Sequence, residues 1–251
     1  MAFINTLYNL WPSGDQNVDG LRDGIAISAA SVFARYGIDT PLLVAHVMAQ
    51  ISHECGAGRD IVENLNYSAE RMTQVWPSRF PTVTSAAPFS HNPRALANKV
   101  YNGRMGNRPG SDDGYDFRGR GGSQTTGREG YERVKRQTGL DVVSNPDILI
   151  DPKYFLLCAV SDFVNCGCLP FAKADDVLGV TKLLNGGTIG LTDRIEWLKR
   201  WKAALGDGPI DFTLPAALTI PASKPPPSKP APVPQPTASL WDRVTSIFKG
   251  A

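Results

Sequence analysis

Apolar positions recur every three or four residues along most of the chain, and this period predicts a mainly helical protein. The clearest helix begins after the capping residue Thr40, has Pro41 in its first turn and ends before Gly56. One of its faces carries three aliphatic residues and an acid, namely Leu43, Val47, Ile51 and Glu54. This helix therefore places a carboxyl group on the stripe that faces the core.

Other helices are predicted on both sides of it, over residues 2–10, 17–36, 69–76, 94–101, 128–138, 152–165, 174–184 and 192–205. Residues 77–92 are expected to form a loop. Nine glycines lie between Asn102 and Gly130. They indicate a segment that wraps around the core, with short β-structure around residues 115–125.

The composition fits one globular domain, since 42% of the 251 residues are hydrophobic and 20% are charged. We predict a catalytic domain over residues 1–210 and a Pro-rich linker over 211–237. A short amphipathic helix is predicted over 238–251, with an apolar face of Leu240, Val244, Ile247 and Phe248. Residues 239–250 are interpreted as a weak membrane contact, with a helix that docks on the domain's own surface or a disordered, charged end as the alternatives.

Charge and targeting signals narrow the function classes. The net charge of +2 does not indicate a nucleic-acid-binding protein. The amino terminus lacks the basic and long apolar regions of a signal peptide, so we expect a cytoplasmic monomer that reaches its site of action after release. Four cysteines are interpreted as free thiols in a reducing compartment: Cys55, Cys158, Cys166 and Cys168.

Glu54 is the first candidate for chemistry. Burial disfavours its carboxylate, and so does the negative end of the helix dipole. Both effects would raise its pKa, which suits a general acid at neutral pH. A buried glutamate paired with an arginine would show the same sequence pattern, and the helix alone leaves both interpretations open.

Glu63 lies nine residues after Glu54, beyond a glycine-bearing connection, so the two can face each other across a cleft. Paired carboxylates suggest cleavage of a glycosidic bond, in which one acid protonates the leaving oxygen and one carboxylate activates water. The alternative is that both acids are surface groups or form ion pairs.

Two other chemistries fit poorly. A zinc peptidase would need His-Glu-x-x-His on the helix, but Ala57 stands where the second histidine belongs. A phosphate-binding loop would need G-x-x-x-x-G-K-[ST], which the glycine-rich segment lacks. We therefore expect neither a metal nor a cofactor.

Five ordered motifs resemble the family 19 glycoside hydrolases, which include chitinases and the lysozyme-like endolysins of bacteriophages. The resemblance covers most of residues 17–205. The motifs are AQISHE at 49–54, ENLNY at 63–67, NKVYNGRMGN at 98–107, GYDFRGRG at 114–121, and NGG at 185–187 before the Asp193-Arg194 pair.

The resemblance implies a mainly α, lysozyme-like (α+β) fold, with two lobes, a cleft and at most a small β-element near 115–125. It also implies inverting hydrolysis of β-1,4 bonds in an N-acetylated amino-sugar polymer. By position, Glu54 is the acid, Glu63 the base, and Thr126 holds the attacking water. The residues expected to bind substrate are His53, Asn64, Tyr67, Gln124, Tyr131, Asn185 and Arg194. Of these, Gln124, Asn185 and Arg194 fall on substrate-cleft or supporting positions.

The substrate is less defined than the reaction. The short spacing between the glutamates resembles the compact endolysin branch, so bacterial peptidoglycan is favoured, with chitin as the alternative. A non-catalytic glycan-binding module is a further alternative. Two departures from the family are Gly130, where an asparagine is common, and the Cys166-Gly167-Cys168 stretch.

Overall fold

The computed structural model describes residues 1–216 and residue 218, and this part of the chain is mainly helical. Its α-helices are α1 (Phe3–Leu10), α2 (Leu21–Arg35), α3 (Pro41–Glu54), α4 (Ala69–Val75), α5 (Val83–Ala86), α6 (Pro93–Tyr101), α7 (Asp113–Asp116), α8 (Arg128–Thr138), α9 (Phe155–Asn165), α10 (Leu169–Lys173), α11 (Val177–Asn185) and α12 (Leu191–Leu205). Short 3₁₀ helices cover Ala87–Phe89 and Pro146–Ile150.

Helix α3 is the centre of this fold. The Thr40 side chain caps it by accepting from the Leu43 N–H at 3.3 Å, as the sequence predicted. Every residue from Leu43 to Glu54 is buried. The prediction of a single apolar stripe was therefore too narrow, because α3 is covered on all sides, including the faces that carry polar side chains.

Several polar side chains of α3 form hydrogen bonds with neighbouring helices. The Ser52 hydroxyl accepts from the indole N–H groups of Trp11 at 2.8 Å and Trp201 at 2.9 Å. It also donates to the Met48 carbonyl at 2.6 Å. Since Trp201 lies on α12, this serine joins the amino-terminal part of the chain to one of the last helices.

The buried hydrophobic residues form three clusters. The first surrounds α3 and includes residues of α1, α2, α9 and α12. The second is built mainly by α4 and α6, and the third by α8 and the segment that leads into α9. The predicted two lobes correspond to the first and second clusters.

The glycine-rich segment runs between these clusters. It contains α7 and isolated β-bridges that pair Val62 with Arg120 and Arg120 with Thr125. The expected short β-structure is thus present as single bridges. Gly122 packs tightly there, because an added Cβ would lie 2.9 Å from Ala159 and 3.0 Å from Ile51.

Some helix boundaries differ from the sequence prediction. Helix α2 begins at Leu21, not at residue 17, and the predicted loop over 77–92 contains α5 and a 3₁₀ helix. Helix α10 was not predicted, and α9 begins at Phe155 after a 3₁₀ turn. These short elements lack the repeated apolar period that marks longer helices.

The predicted boundary at residue 210 needs correction. The Asp211 carbonyl accepts from the Phe3 N–H at 2.7 Å, and the Phe212 ring packs against Phe3 and Phe33. The domain therefore includes these first residues of the predicted linker. The predicted helix over 238–251 lies outside the described residues, and within them no helix has the length and apolarity needed to cross a membrane.

Ser52→Ala should destabilise the fold. The substitution removes the acceptor shared by two buried indole N–H groups, and each buried donor without a partner costs about 1–3 kcal/mol. Urea denaturation should show a loss of roughly 2–4 kcal/mol in the free energy of unfolding.

Ser31→Ala on α2 is the matched control, because Ser31 is exposed and its hydroxyl donates only to the Ser28 carbonyl. Its effect should stay within about 0.5 kcal/mol. Equal effects of the two substitutions would show that the indole contacts contribute little to stability.

Candidate active site

Glu54 ends α3 in a buried ion pair. The Arg194 guanidinium, on the first turn of α12, donates through Nη2 to Glu54 Oε1 at 2.5 Å. It also donates through Nη1 to Gln50 Oε1, one turn earlier on α3. The side chains of Glu54 and Arg194 are only 3% and 1% exposed.

The ion pair with Arg194 adds a second effect at the Glu54 carboxyl group, beside burial. Burial favours the protonated form of Glu54, whereas the adjacent guanidinium favours the carboxylate. Both alternatives considered for the sequence are thus combined, because Glu54 is a buried acid and is also paired with an arginine. The two effects oppose each other at this carboxyl group.

His53 is held by α12, the helix that also carries Arg194. Its Nδ1 lies 2.6 Å from Asp193 Oδ2, and this contact lowers the pKa of Asp193. The ring packs over Gly190, where an added Cβ would lie 2.5 Å from Nε2. The structure therefore places His53 as a buried contact between α3 and α12, and not on an open surface that could bind substrate.

Glu63 lies outside any helix, beside the glycine-rich segment. Its N–H donates to the Gly119 carbonyl at 2.8 Å. Its Oε1 accepts from the Tyr101 hydroxyl at 2.5 Å, and its Oε2 accepts from the Gly119 N–H at 3.1 Å. Burial raises the pKa of Glu63, and the two hydrogen bonds act in the opposite direction.

Tyr101 was not selected from the sequence. It lies in the NKVYNGRMGN motif, but nothing local to α6 indicates that its hydroxyl reaches a carboxylate 38 residues earlier. An aromatic residue at the end of an amphipathic helix normally predicts a core position. Tyr101 is indeed buried, and its polar atom is directed at the site.

Thr126 and Gln124 lie close to Glu63 around Gly119. A Cβ added at Gly119 would lie 2.9 Å from Gln124 Oε1, 3.3 Å from Glu63 Cβ and 3.4 Å from Thr126 Oγ1. The Thr126 hydroxyl donates to the Gln124 carbonyl at 2.9 Å, so its oxygen can still accept a hydrogen bond. The structure thus brings these three predicted residues together.

The Gln124 side chain stabilises the glycine-rich segment through two hydrogen bonds to backbone carbonyls. Its Nε2 donates to the carbonyls of Asp60 at 2.9 Å and Gly121 at 3.0 Å. It adopts a positive φ of 48°, which a non-glycine residue keeps only when its surroundings hold it. Gln124 therefore ties the chain that precedes Glu63 to the turn that precedes Thr126.

Asn64 and Tyr67 follow Glu63 and are half-buried. The Asn64 side chain accepts from the Asn66 N–H at 2.9 Å and so shapes the local turn. Tyr67 packs edge-on against Trp76, with ring centroids 5.4 Å apart. Burial and the nearby Glu63 raise the pKa of Tyr67. Asn64 and Tyr67 therefore lie on the same side of the site as Glu63.

The prediction for Tyr131 requires a correction. The residue has no exposed surface, and its hydroxyl donates to the Arg118 carbonyl at 2.7 Å and accepts from Arg120 at 3.0 Å. Burial raises its pKa to about 12. Tyr131 therefore cannot contact a glycan in this structure. It supports the glycine-rich segment through its hydrogen bonds with Arg118 and Arg120.

Asn185 ends α11 and is largely buried. Its Nδ2 donates to the Ile189 carbonyl at 3.2 Å, whereas its Oδ1 has no hydrogen-bond partner among the described residues. This leaves one acceptor for a ligand. A narrow pocket next to Glu54 lies nearby and is lined by Gln50, Ile51, Glu54, Gly122, Ser123, Ala159, Phe163 and Leu184.

Cys55 directly follows Glu54 at the end of α3, and the other three cysteines lie in or next to α9 and α10. None of the four forms a disulfide in the described part of the chain, which includes all of them. Burial raises the pKa of the Cys55, Cys158 and Cys168 thiols, to about 12 for Cys55 and Cys168. The structure gives the Cys166-Gly167-Cys168 departure no part in the carboxylate site.

Comparisons with known proteins concern the sequence and the fold. No family profile matches the sequence. A glycosyl hydrolase family 19 domain-containing protein of Haemophilus influenzae is 29% identical over 177 residues, which are 68% of this chain and 84% of that protein. The chain resembles the family 19 glycoside hydrolases. This relative confirms the predicted enzyme class, a glycoside hydrolase.

The fold is also similar to that of a solved family member. The structure of chitinase C from Streptomyces griseus HUT6037 matches with a TM-score of 0.51 and 16% identity. The match covers 85% of this chain and 98% of the chitinase chain. The predicted mainly helical, lysozyme-like fold is confirmed.

Gly119→Ala should impair activity while the protein remains folded. The new methyl group would press on Gln124 and Glu63 and displace the groups around the base, and a shift of about 1 Å in an active site can cost up to about a hundred-fold in rate. We expect kcat/KM to fall by about ten-fold or more.

The matched control is Gly208→Ala, since an added Cβ there meets no atom within 4 Å. Circular dichroism of both variants would show whether the fold is kept. Full activity of Gly119→Ala would mean that the close approach at Gly119 does not position the reacting groups.

Proposed function

We propose that the chain is an inverting glycoside hydrolase that cleaves β-1,4 bonds in an N-acetylated amino-sugar polymer, with Glu54 as acid and Glu63 as base. The observation that carries this proposal is the pair of buried carboxyl groups held by different parts of the fold. Helix α12 holds Glu54, whereas Tyr101 and Gly119 hold Glu63. Inverting hydrolysis needs two such groups with room for water between them.

In the proposed mechanism, Glu54 donates its proton to the glycosidic oxygen as the bond to the anomeric carbon breaks. This step requires a protonated Glu54 when substrate is bound, and burial favours that state. Once the proton has left, Arg194 stabilises the new carboxylate. The guanidinium thus stabilises the product of proton transfer more than its starting state.

Glu63 takes a proton from water that attacks the anomeric carbon from the opposite face. Its raised pKa makes the ionised group a stronger proton acceptor. The Thr126 oxygen can accept one hydrogen of the attacking water, which orients the other towards Glu63. The bond that forms is C–O to water, and its excess proton ends on Glu63.

We favour peptidoglycan as the polymer. The short spacing of the two glutamates supports this choice, and so does Arg118, a half-buried cation whose charge lowers the pKa of Glu63. Arg118 stacks on Tyr115, with 4.1 Å from Cζ to the ring centroid. Peptidoglycan carries peptide carboxylates that such a cation attracts, whereas chitin is uncharged. Chitin is the alternative, supported by the fold shared with chitinase C.

Substitution of each glutamate should identify its role. Glu54→Gln should reduce hydrolysis of natural substrate by about a hundred-fold or more, the scale of a lost general acid. Its activity should largely return on a 4-nitrophenyl glycoside, whose leaving group needs no proton. Glu63→Gln should be equally impaired but partly rescued by azide, with an α-glycosyl azide formed from the β-linked substrate.

Glu70→Gln, an exposed acid on α4, is the control and should keep wild-type rates. The reverse pattern, with azide rescuing Glu54→Gln and an activated leaving group rescuing Glu63→Gln, would exchange the two roles. Wild-type turnover by both variants would refute a catalytic carboxylate pair, whereas glycan binding by the unaltered protein without any turnover would favour a glycan-binding module.

A substrate comparison separates peptidoglycan from chitin. The full chain should clear a suspension of permeabilised Gram-negative cells faster than it hydrolyses chito-oligosaccharides. Arg118→Gln should slow clearance by about five-fold, equivalent to roughly 1 kcal/mol for a partly exposed ion pair, and should affect the neutral oligosaccharide less.

Arg35→Gln is the matched control for charge, because Arg35 is exposed at the end of α2 and donates to the Gln137 carbonyl. It should leave both rates unchanged. Rapid hydrolysis of chito-oligosaccharides without any cell clearance would favour the chitinase alternative.

A further inference from the structure

Tyr101 is the last residue of α6, and its ring belongs to the second cluster. Its hydroxyl is the side-chain donor to Glu63, at 2.5 Å from Oε1. Tyr101 is 1% exposed and Glu63 is 6% exposed, so this hydrogen bond is shielded from water. In a shielded site, a hydrogen bond to a charged group is stronger than the same bond at the surface.

We propose that Tyr101 is a positioning residue for hydrolysis, which holds Glu63 as an oriented carboxylate through its phenol hydrogen bond. The proposal rests on the function given above, because it needs Glu63 to be the base. Tyr101 does not touch the reacting atoms in this account. It acts through Glu63.

The hydrogen bond favours the ionised form of Glu63. Burial by itself raises the pKa of this group, and a base that is protonated at the working pH cannot accept a proton from water. The Tyr101 bond is the largest of the effects that lower the pKa again, ahead of the bond from Gly119. Tyr101 thus keeps a buried base available.

The bond also fixes the direction of the carboxylate. Tyr101 holds Oε1 and Gly119 holds Oε2, so the group cannot rotate without losing a partner. The two donors are themselves connected. Asn98 of α6 and Asn102, the residue after it, accept from the N–H groups of Tyr115 and Gly114, and so bind the helix to the segment that carries Gly119.

Other ionisable groups face this pair. Arg118 and Arg120 of the glycine-rich segment lower the pKa of Glu63, and Tyr67 lies near enough for Glu63 to raise its own pKa. The positive charge of Arg79 lowers the pKa of Tyr101. All of these remain when only the Tyr101 hydroxyl is removed.

Tyr101→Phe makes that single change. Because the hydrogen bond favours the carboxylate, its loss should raise the pKa of Glu63, and activity should then disappear at a higher pH as the medium is acidified. We expect the acidic limb of the kcat/KM profile to move up by about one pH unit. The ¹³C NMR titration of the Glu63 carboxyl in the full chain should show the same shift.

Tyr8→Phe is the matched control. The Tyr8 hydroxyl also donates to a carboxylate, Asp23 Oδ1, at 2.5 Å, but this bond joins α1 to α2. The control should lower the melting temperature and leave the acidic limb unchanged. If Tyr101→Phe behaves in the same way as Tyr8→Phe, Tyr101 has only a structural role and the proposal is refuted.

A second variant covers the case in which Tyr101→Phe does not fold. Site-specific 3,5-difluorotyrosine at position 101 keeps the ring and the hydroxyl but makes the phenol a stronger donor, so the acidic limb should move to lower pH. An unmoved limb would overturn the proposal. An active Glu63→Gln variant would instead refute the proposed function, whereas an inactive Glu63→Gln with an unmoved limb refutes only the role of Tyr101.

Discussion

The contact between α3 and the first turn of α12 is the interaction on which the rest of the structure depends. A helix buried on every side is stable only if its polar side chains find partners inside the protein. Helix α12 supplies several of those partners: Arg194 reaches Gln50 and Glu54, and Asp193 reaches His53. The same contact that permits α3 to be buried therefore sets the charge around the proposed acid, so stability and chemistry cannot be separated at this helix end.

The base is held by a different part of the molecule. Glu63 receives its hydrogen bonds from Tyr101, whose ring lies in the second cluster, and from Gly119 in the glycine-rich segment. No helix of the first cluster donates to it among the described hydrogen bonds. The two carboxyl groups are thus held by different donors, although Ile61 and Val62, which precede Glu63, pack in the first cluster. Inverting hydrolysis is sensitive to the distance between the two carboxyl groups because a water molecule must fit between them.

Local signals in the sequence were sufficient for most helices. Thr40 and Pro41 mark the start of α3, and Gly139 marks the end of α8, because caps and breakers act within a few residues. Long-range pairings could not be predicted in this way. The bond between Tyr101 and Glu63 and the packing of Phe212 on Phe3 both depend on tertiary structure, and no local pattern encodes them. The helix pattern and the residue spacing selected the two acids, and the family resemblance assigned their roles, but the resemblance also assigned substrate contact to Tyr131, which is fully buried.

The two carboxyl groups differ in the donors that surround them. Glu54 faces a full positive charge, so its proton affinity depends on how closely Arg194 stays bound. Glu63 is held by a phenol and a backbone N–H, which are neutral donors, and burial still raises its pKa. Burial favours the protonated form of Glu54, and Arg194 favours its carboxylate. A glycan that replaces water next to Glu54 would strengthen the effect of desolvation on this carboxyl group, because the sugar covers the group without adding charge. Substrate binding would therefore favour the protonated form of Glu54 that its proposed role requires.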